Sequence, residues 1–234
     1  MRERQILPVR GLSRRRRQPP GGATLVLMPT AIMPMHPTFV AQPFHHEGWL
    51  YEEKVDGYRV LAHKDGDRVR LISHHAKDLT ARFPELAEAI RALRPDALIL
   101  DGEVAAYDEQ LVSRFEWLRR PPRDQVATPP MMMVFDLLRL EDQDVRHEPL
   151  RIRRDRVERV LDGAPAVLLP VRRLADDGLK AWQEVLERGY EGLVVKDPEA
   201  PYVGGRTLRW LKVKQPKYRE GDRAMGGFSV DRRS

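Results

Sequence analysis

Lys54 stands at the end of an alternating apolar and polar run and is followed at once by a turn, in Glu52-Glu53-Lys54-Val55-Asp56-Gly57-Tyr58-Arg59. An amine presented at a strand end can attack a phosphorus atom, but only in its neutral form, which desolvation or neighbouring cations favour. Alternation puts Glu52, Lys54 and Asp56 on one face, where the two carboxylates oppose that neutral form. The groups that counter them lie far downstream. Lys212 and Lys214 share a strand face with Trp210, and Lys196 ends another apolar run. Clustered positive charge also neutralises a polyphosphate and the charge that develops as pyrophosphate departs. Asp101 and Glu103 alternate with Leu100, Gly102 and Val104, so two hard oxygen ligands suited to magnesium share one strand face. Glu191 and Lys196 are five residues apart and fall on opposite faces of a regular strand. If one pocket uses both, Glu191 must occupy the preceding turn. Each signal taken alone is weak: a Lys-x-Asp-Gly tetrad occurs in hairpins by chance, and Phe135 in its apolar run reads as core.

The elements that must position these groups are short strands separated by Gly, Asp and Pro. Trp49 to Lys54, Arg59 to His63 and Val69 to Ile72 read as a meander, with Asp65-Gly66 as a two-residue hairpin turn. Phe83, Leu86, Ala87, Ile90 and Leu93 recur at helical spacing, with Thr80 available as the cap. Ala97 to Tyr107 and Met131 to Leu138 read as buried strands, and Pro121, Pro122, Pro129 and Pro130 bracket an exposed loop. Two covering helices follow, one through Leu150, Val157, Val160 and Leu161, the other through Leu179, Trp182, Val185 and Leu186 with Gly189 as C-cap. Gly192 to Lys196 and Leu208 to Lys214 supply the last strands. No internal repeat is visible.

Composition bounds the class. No apolar run approaches the roughly 20 residues of a membrane helix, which predicts a soluble chain with no membrane partner. The absence of cysteine excludes disulfides, thiolate metal sites and thiol nucleophiles, and agrees with a cytoplasmic location. The formal charge of +6 points to a polyanionic partner such as nucleic acid. The expected organisation is a basic, disordered arm over 1–30, one domain over 31–216 and a flexible tail over 217–234.

In their order, these motifs resemble the ATP-dependent DNA ligases, especially the ligase domains of bacterial end-joining proteins, over about residues 34–217. Lys54-Val55-Asp56-Gly57 is similar to the family's nucleophile motif, Leu100-Asp101-Gly102-Glu103 to its third motif, and Val134-Phe135-Asp136-Leu137 to the one that supplies an aromatic ring. Glu191-Gly192-Leu193-Val194-Val195-Lys196 and Trp210-Leu211-Lys212-Val213-Lys214 are similar to the fourth and fifth. The resemblance implies an α+β, ATP-grasp-like nucleotidyltransferase core of two mainly antiparallel sheets flanked by helices. It implies that Lys54 forms the AMP phosphoramidate from ATP, Glu52 and Arg59 contact the nucleoside, Glu103 holds the ribose and Phe135 stacks on adenine. Glu191, with Glu103, would bind Mg2+ or Mn2+, and Lys196, Lys212 and Lys214 would engage phosphates. AMP would then pass to the 5′-phosphate of nicked or broken duplex DNA and be displaced by a 3′-hydroxyl.

Two departures stand against that pattern. Ser73-His74-His75-Ala76 replaces the family's Ser-Arg-Asn-Gly, and His74 supplies the missing charge only when protonated. About twenty residues follow Lys214, too few for the family's OB-fold domain, and the expected core without it is a natural minimal form, a shortened form of a longer ligase, or one subunit whose OB-fold function comes from a separate protein. An RNA ligase or capping-type enzyme, and a DNA-end or nucleotide-binding module without turnover, are the alternative readings.

Overall fold

A computed structural model describes residues 32–125, 127–216 and 218. The expected arm (1–30) and tail (217–234, Tyr218 apart) lie outside the described residues. The strands are β1 (Met35–Phe39), β2 (Leu50–Glu53), β3 (Tyr58–Asp65), β4 (Arg68–Ser73), β5 (Ala97–Ala105), β6 (Met131–Leu140), β7 (Gln143–Asp144), β8 (Leu168–Pro170), β9 (Gly192–Lys196) and β10 (Gly205–Lys214). The helices are α1 (Pro84–Arg91), α2 (Leu150–Leu161) and α3 (Gly178–Arg188).

These strands form two sheets, one ordered β1-β10-β9-β2 and one ordered β4-β3-β5-β6-β7, with β8 added beside β6. Only β1·β10 and β6·β8 are parallel among the pairs described. The architecture is the expected α+β arrangement. Leu86, Ile90 and Leu93 press α1 and its C-terminal turn onto Val60, Leu71 and Leu98 of the larger sheet, and Val157 and Leu161 do the same for α2. Each fully buried Leu, Ile or Val there contributes roughly 1.5–3 kcal/mol. Beneath the smaller sheet, Ala181 and Val185 of α3 meet Leu193 and Val195 of β9 and Val213 of β10.

Several local expectations change. β2 does not join β3 and β4 in a meander. It pairs with β9 in the smaller sheet, whereas β3 pairs with β4 and β5 in the larger. Alternation marks a strand but carries no record of its partner. Lys54 to Gly57 is therefore the crossing between sheets, and its glycine has a steric cause: a Cβ at Gly57 would collide with the carbonyl oxygen of Val104 on β5. The hairpin turn is Gly66-Asp67 rather than Asp65-Gly66, because Asp65 still pairs with Arg68 and Gly66 takes a φ of +55°. Thr80 does not cap α1. It lies in a 3-10 turn, where its hydroxyl accepts from Leu71 N–H at 2.9 Å, and α1 starts at Pro84, whose lack of an N–H suits a first helical position. Gly189 is the left-handed C-cap of α3 as expected, but Leu179 and Leu186 are exposed, since the buried stripe runs through Ala181 and Val185.

Candidate active site

Lys54 continues the β2·β9 ladder one residue past β2, its N–H donating to Gly192 O at 3.0 Å. Gly192 permits that closeness of strands, because a Cβ there would run into the Val213 carbonyl of β10. Glu191 consequently occupies the turn before β9, as the five-residue spacing requires. Its two oxygens hold the Lys54 ammonium and, at 2.8 Å, that of Lys214. Lys196, at the far end of β9, points into the cleft and pairs instead with Glu52.

The cleft lies between the sheets. The smaller sheet and its continuation contribute His36, Glu52, Lys54, Lys196, Trp210 and Lys212, and the larger contributes Arg59, Glu103 and Phe135. It encloses about 750 Å³ including open solvent. Phe135 is half-buried rather than core, with Lys196 Nζ 4.5 Å and the Arg59 guanidinium 5.3 Å from its ring centre. Asp101 binds Arg59 in a fork, Oδ1 to Nε at 3.0 Å and Oδ2 to Nη2 at 2.7 Å, and accepts from Tyr202 O–H at 2.6 Å. Of the nine residues the resemblance assigns to the site, seven line this cleft, and Glu191 and Lys214 line a second pocket, joined to the first through the contact of Glu191 with Lys54. Asp56 does not join them. Its N–H reaches Ser113 Oγ at 2.9 Å and its carboxylate accepts from Tyr218 O–H at 3.2 Å, because the chain leaves the strand after Glu53 and alternation no longer applies.

Burial sets the charge states. Desolvation pushes Glu103 up to about 8, against the pull of Lys54 and Arg59. It also lowers Lys196 despite Glu52, and lowers Lys212, where Lys54, Lys214 and Arg206 add to the effect. Glu53, on the opposite side of β2 from Glu52, is pushed up to about 7 by desolvation, only partly offset by Arg172 at 3.1 Å. A raised carboxyl keeps its proton in the native state while the unfolded chain has lost it, so stability falls as pH rises from the unfolded value through about 7. Glu53→Gln is expected to flatten the wild-type decline between about pH 5 and pH 8 by on the order of 2–3 kcal/mol. Denaturant midpoints across that range check it, and equal slopes in both proteins would refute the assignment.

Arg153 and Arg154 of α2 escape the sequence reading because they interrupt the apolar stripe and look solvated. Both are fully buried. Arg153 forks onto Asp136 at 2.7 and 2.9 Å, and Arg154 reaches Val134 O at 3.2 Å and Glu52 at 3.4 Å. Glu52 thus sits between two cations. The nearest available signal is the apolar setting of Asp136 in β6, which demands a buried partner.

A family profile described as ATP dependent DNA ligase domain matches residues 35–214. The chain belongs to that family. Among curated relatives it is 36% identical over 180 residues to a probable DNA ligase of Streptomyces griseus, covering 70% of this chain and 35% of that protein. It is 32% identical over 221 residues to the multifunctional non-homologous end joining protein LigD of Pseudomonas aeruginosa, covering 91% and 26%. Among solved structures, a mycobacterial DNA ligase D complexed with ATP and MES superposes with a TM-score of 0.66 at 29% identity, covering 78% of this chain and 60% of that one. The ligase domain of Mycobacterium tuberculosis LigD gives 0.65 at 28%, covering 78% and 59%. The chain spans about a third of the length of the first curated relatives it matches.

The expected metal ligands, Glu103 and Glu191, are carboxylates, a donor type that suits a hard divalent cation. Glu103 and Glu191 both lie within electrostatic reach of Lys54, and Glu103 feels Glu191 directly. Among the described residues no three His, Asp or Glu side chains converge on one point. A divalent ion there would complete its shell with phosphate oxygens and water, the habit of magnesium. His74 is held below the ordinary imidazole range by desolvation, then by His75 and Arg59, and is therefore neutral near pH 7. Alone, it does not reproduce the ligase family's arginine there. No helix among the described residues is long and apolar enough to cross a membrane.

Proposed function

We propose that this chain is the catalytic core of an ATP-dependent DNA ligase, moving AMP from ATP to Lys54, then to a DNA 5′-phosphate for sealing by a 3′-hydroxyl. The observation that carries the reading is Lys54 held between sheets at the edge of the cleft by Glu191, itself shared with Lys214.

In the first step the Lys54 nitrogen forms a bond to the α-phosphorus while the bond to the bridging oxygen of pyrophosphate breaks. Glu191, in contact with Nζ, is placed to take the amine's proton. Lys212 and Lys214 face the phosphates and offset the charge gathering on pyrophosphate, and Lys196 adds to that field from beside Glu52. Phe135 offers its face to adenine, and Glu52 and Arg59 line the nucleoside's pocket. A protonated Glu103 can both donate to and accept from a ribose hydroxyl. Binding of Mg2+ or Mn2+ by Glu103 and Glu191 would require Glu103 to give up that proton, and the ion would then supply Lewis-acid stabilisation of the phosphates. The reading places the protein with DNA in the cytoplasm.

Intact mass after incubation with ATP and magnesium is expected to show addition of one AMP, and nicked DNA to remove it with a sealed product. A folded protein that gains nothing would sink the autonomous-core reading. Label acquired from GTP, or sealing of nicked RNA in preference to DNA, would transfer the chain to the capping or RNA-ligase alternatives.

A further inference from the structure

Two segments of chain cross between the sheets. Lys54 to Gly57 is the first. The second follows β8, where Val171 donates its N–H to Val134 O of β6 at 2.8 Å and the next residues lie along the edge of β2 that β9 leaves unpaired. There Glu53 N–H donates to Arg172 O at 3.0 Å, Leu174 N–H donates to Tyr51 O at 2.9 Å, and Glu52 bridges to Arg173. The backbone of Arg172 is thereby fixed beside Glu53.

The Arg172 side chain then joins two buried groups. Its Nη1 lies 3.1 Å from Glu53 Oε2 and donates to the Tyr190 hydroxyl, and its guanidinium stands 5.1 Å from the Tyr190 ring centre. Glu53 and Tyr190 are 2% and 1% exposed, and Arg172 is the only ion-pair partner of Glu53 among the described residues. In sequence Glu53 and Tyr190 come immediately before Lys54 and Glu191, the two residues in contact at the edge of the cleft. That contact sits at the end of the β2·β9 ladder, and ladder ends are the first parts of a sheet to open. A tie between the preceding residues limits how far the two chains separate there. Neither Arg172 nor Tyr190 lines the cleft.

We propose that Arg172 is a positioning residue for the adenylation step: by holding Glu53 and Tyr190 together it keeps the Lys54 amine against Glu191. This role rests on the ligase reading. Arg172 acts through the residues it binds, and arginine suits the task because its planar fork serves two partners where lysine offers a point charge. Displacement of a reacting group by about 1 Å costs on the order of 100-fold in rate, so a modest loosening behind the nucleophile is measurable.

The test follows single-turnover formation of lysyl-AMP at saturating ATP in wild type, Arg172→Gln, Arg172→Lys and Tyr190→Phe. It is run at about pH 8, above the value of about 7 at which Glu53 loses its proton. A second readout needs no ATP. A carbodiimide joins carboxylates to amines in contact, and the ratio of Lys54–Glu191 to Lys214–Glu191 cross-links, read by peptide mass, reports where Lys54 stands. Arg172→Gln is expected to lower the rate constant about tenfold and the cross-link ratio about threefold, with the ATP concentration for half-maximal rate changed by less than about threefold. Tyr190→Phe removes only a hydroxyl and should do the same to a smaller extent, and Arg172→Lys should recover part of the loss. A merely structural role would reduce the fraction of protein that reacts and leave the rate constant of that fraction alone. Unchanged rate constants in Arg172→Gln and Tyr190→Phe, or a cross-link ratio equal to that of wild type, overturn the positioning role. Wild type that forms no lysyl-AMP overturns the ligase reading instead, and the cross-link ratio still decides whether Arg172 sets the contact of Lys54 with Glu191.

Discussion

Lys54→Ala is expected to lose covalent AMP uptake by at least about 10⁴-fold, because the group that forms the bond to phosphorus is gone. Lys54→Arg should fail as completely. A guanidinium keeps its proton at any working pH and has no nucleophilic lone pair to offer. The folds of both variants should survive. Glu191 retains Lys214 through its other oxygen, so removal of Lys54 does not leave a buried carboxylate unpaired. Non-covalent ATP binding should persist for the same reason, as the Phe135 face and the Lys212 ammonium are untouched. Intact mass after exposure to ATP and magnesium, with melting temperature as the control, decides it. AMP found on Lys54→Ala would show that another residue is the nucleophile.

Asp136→Asn should produce the largest loss of stability. Asp136 and Arg153 are both fully buried, and the fork between them is the arginine's only carboxylate partner among the described residues. Breaking such a pair from one side leaves an uncompensated buried charge and costs about 3–5 kcal/mol. In a domain of this size that lowers the melting temperature by roughly 6–20 °C. The double replacement Asp136→Leu/Arg153→Met should recover much of the loss, since it removes both charges at similar volume. Failure of the single variant to shift the melting point would mean that the arginine finds other compensation.

The effect should also reach the cleft. Arg153 donates to Ala200 O at 3.0 Å and lies over the Tyr202 ring at 5.9 Å, and Tyr202 donates to the Asp101 that orients Arg59. A loosened Arg153 therefore weakens nucleoside binding through this chain of contacts, which a raised KM for ATP in the surviving folded protein would register.

The positions of the longer strands, though not all their ends nor the short β1, β7 and β8, the helix stripe through Leu86 and Ile90, the αL cap at Gly189 and the placement of Glu191 in a turn are legible along the chain. Each follows from local periodicity or from the conformational demands of one residue, and neither depends on what lies across the fold. The motif order likewise marks Lys54, Glu103, Phe135 and Lys212 as one set, because chemistry restricts residue types more tightly than burial does. Pairing is another matter. That β2 and β3 enter different sheets, that Glu52 serves Lys196 and Arg154 rather than Lys54, and that His36 stands beside Arg206 depend on strand partners and a β-bulge up to 170 residues apart along the chain. Buried Arg153 is the clearest case. A helix full of arginine reads as solvated until Asp136, inside a sheet, supplies the charge that makes its burial tolerable, and only the tertiary structure brings the two together.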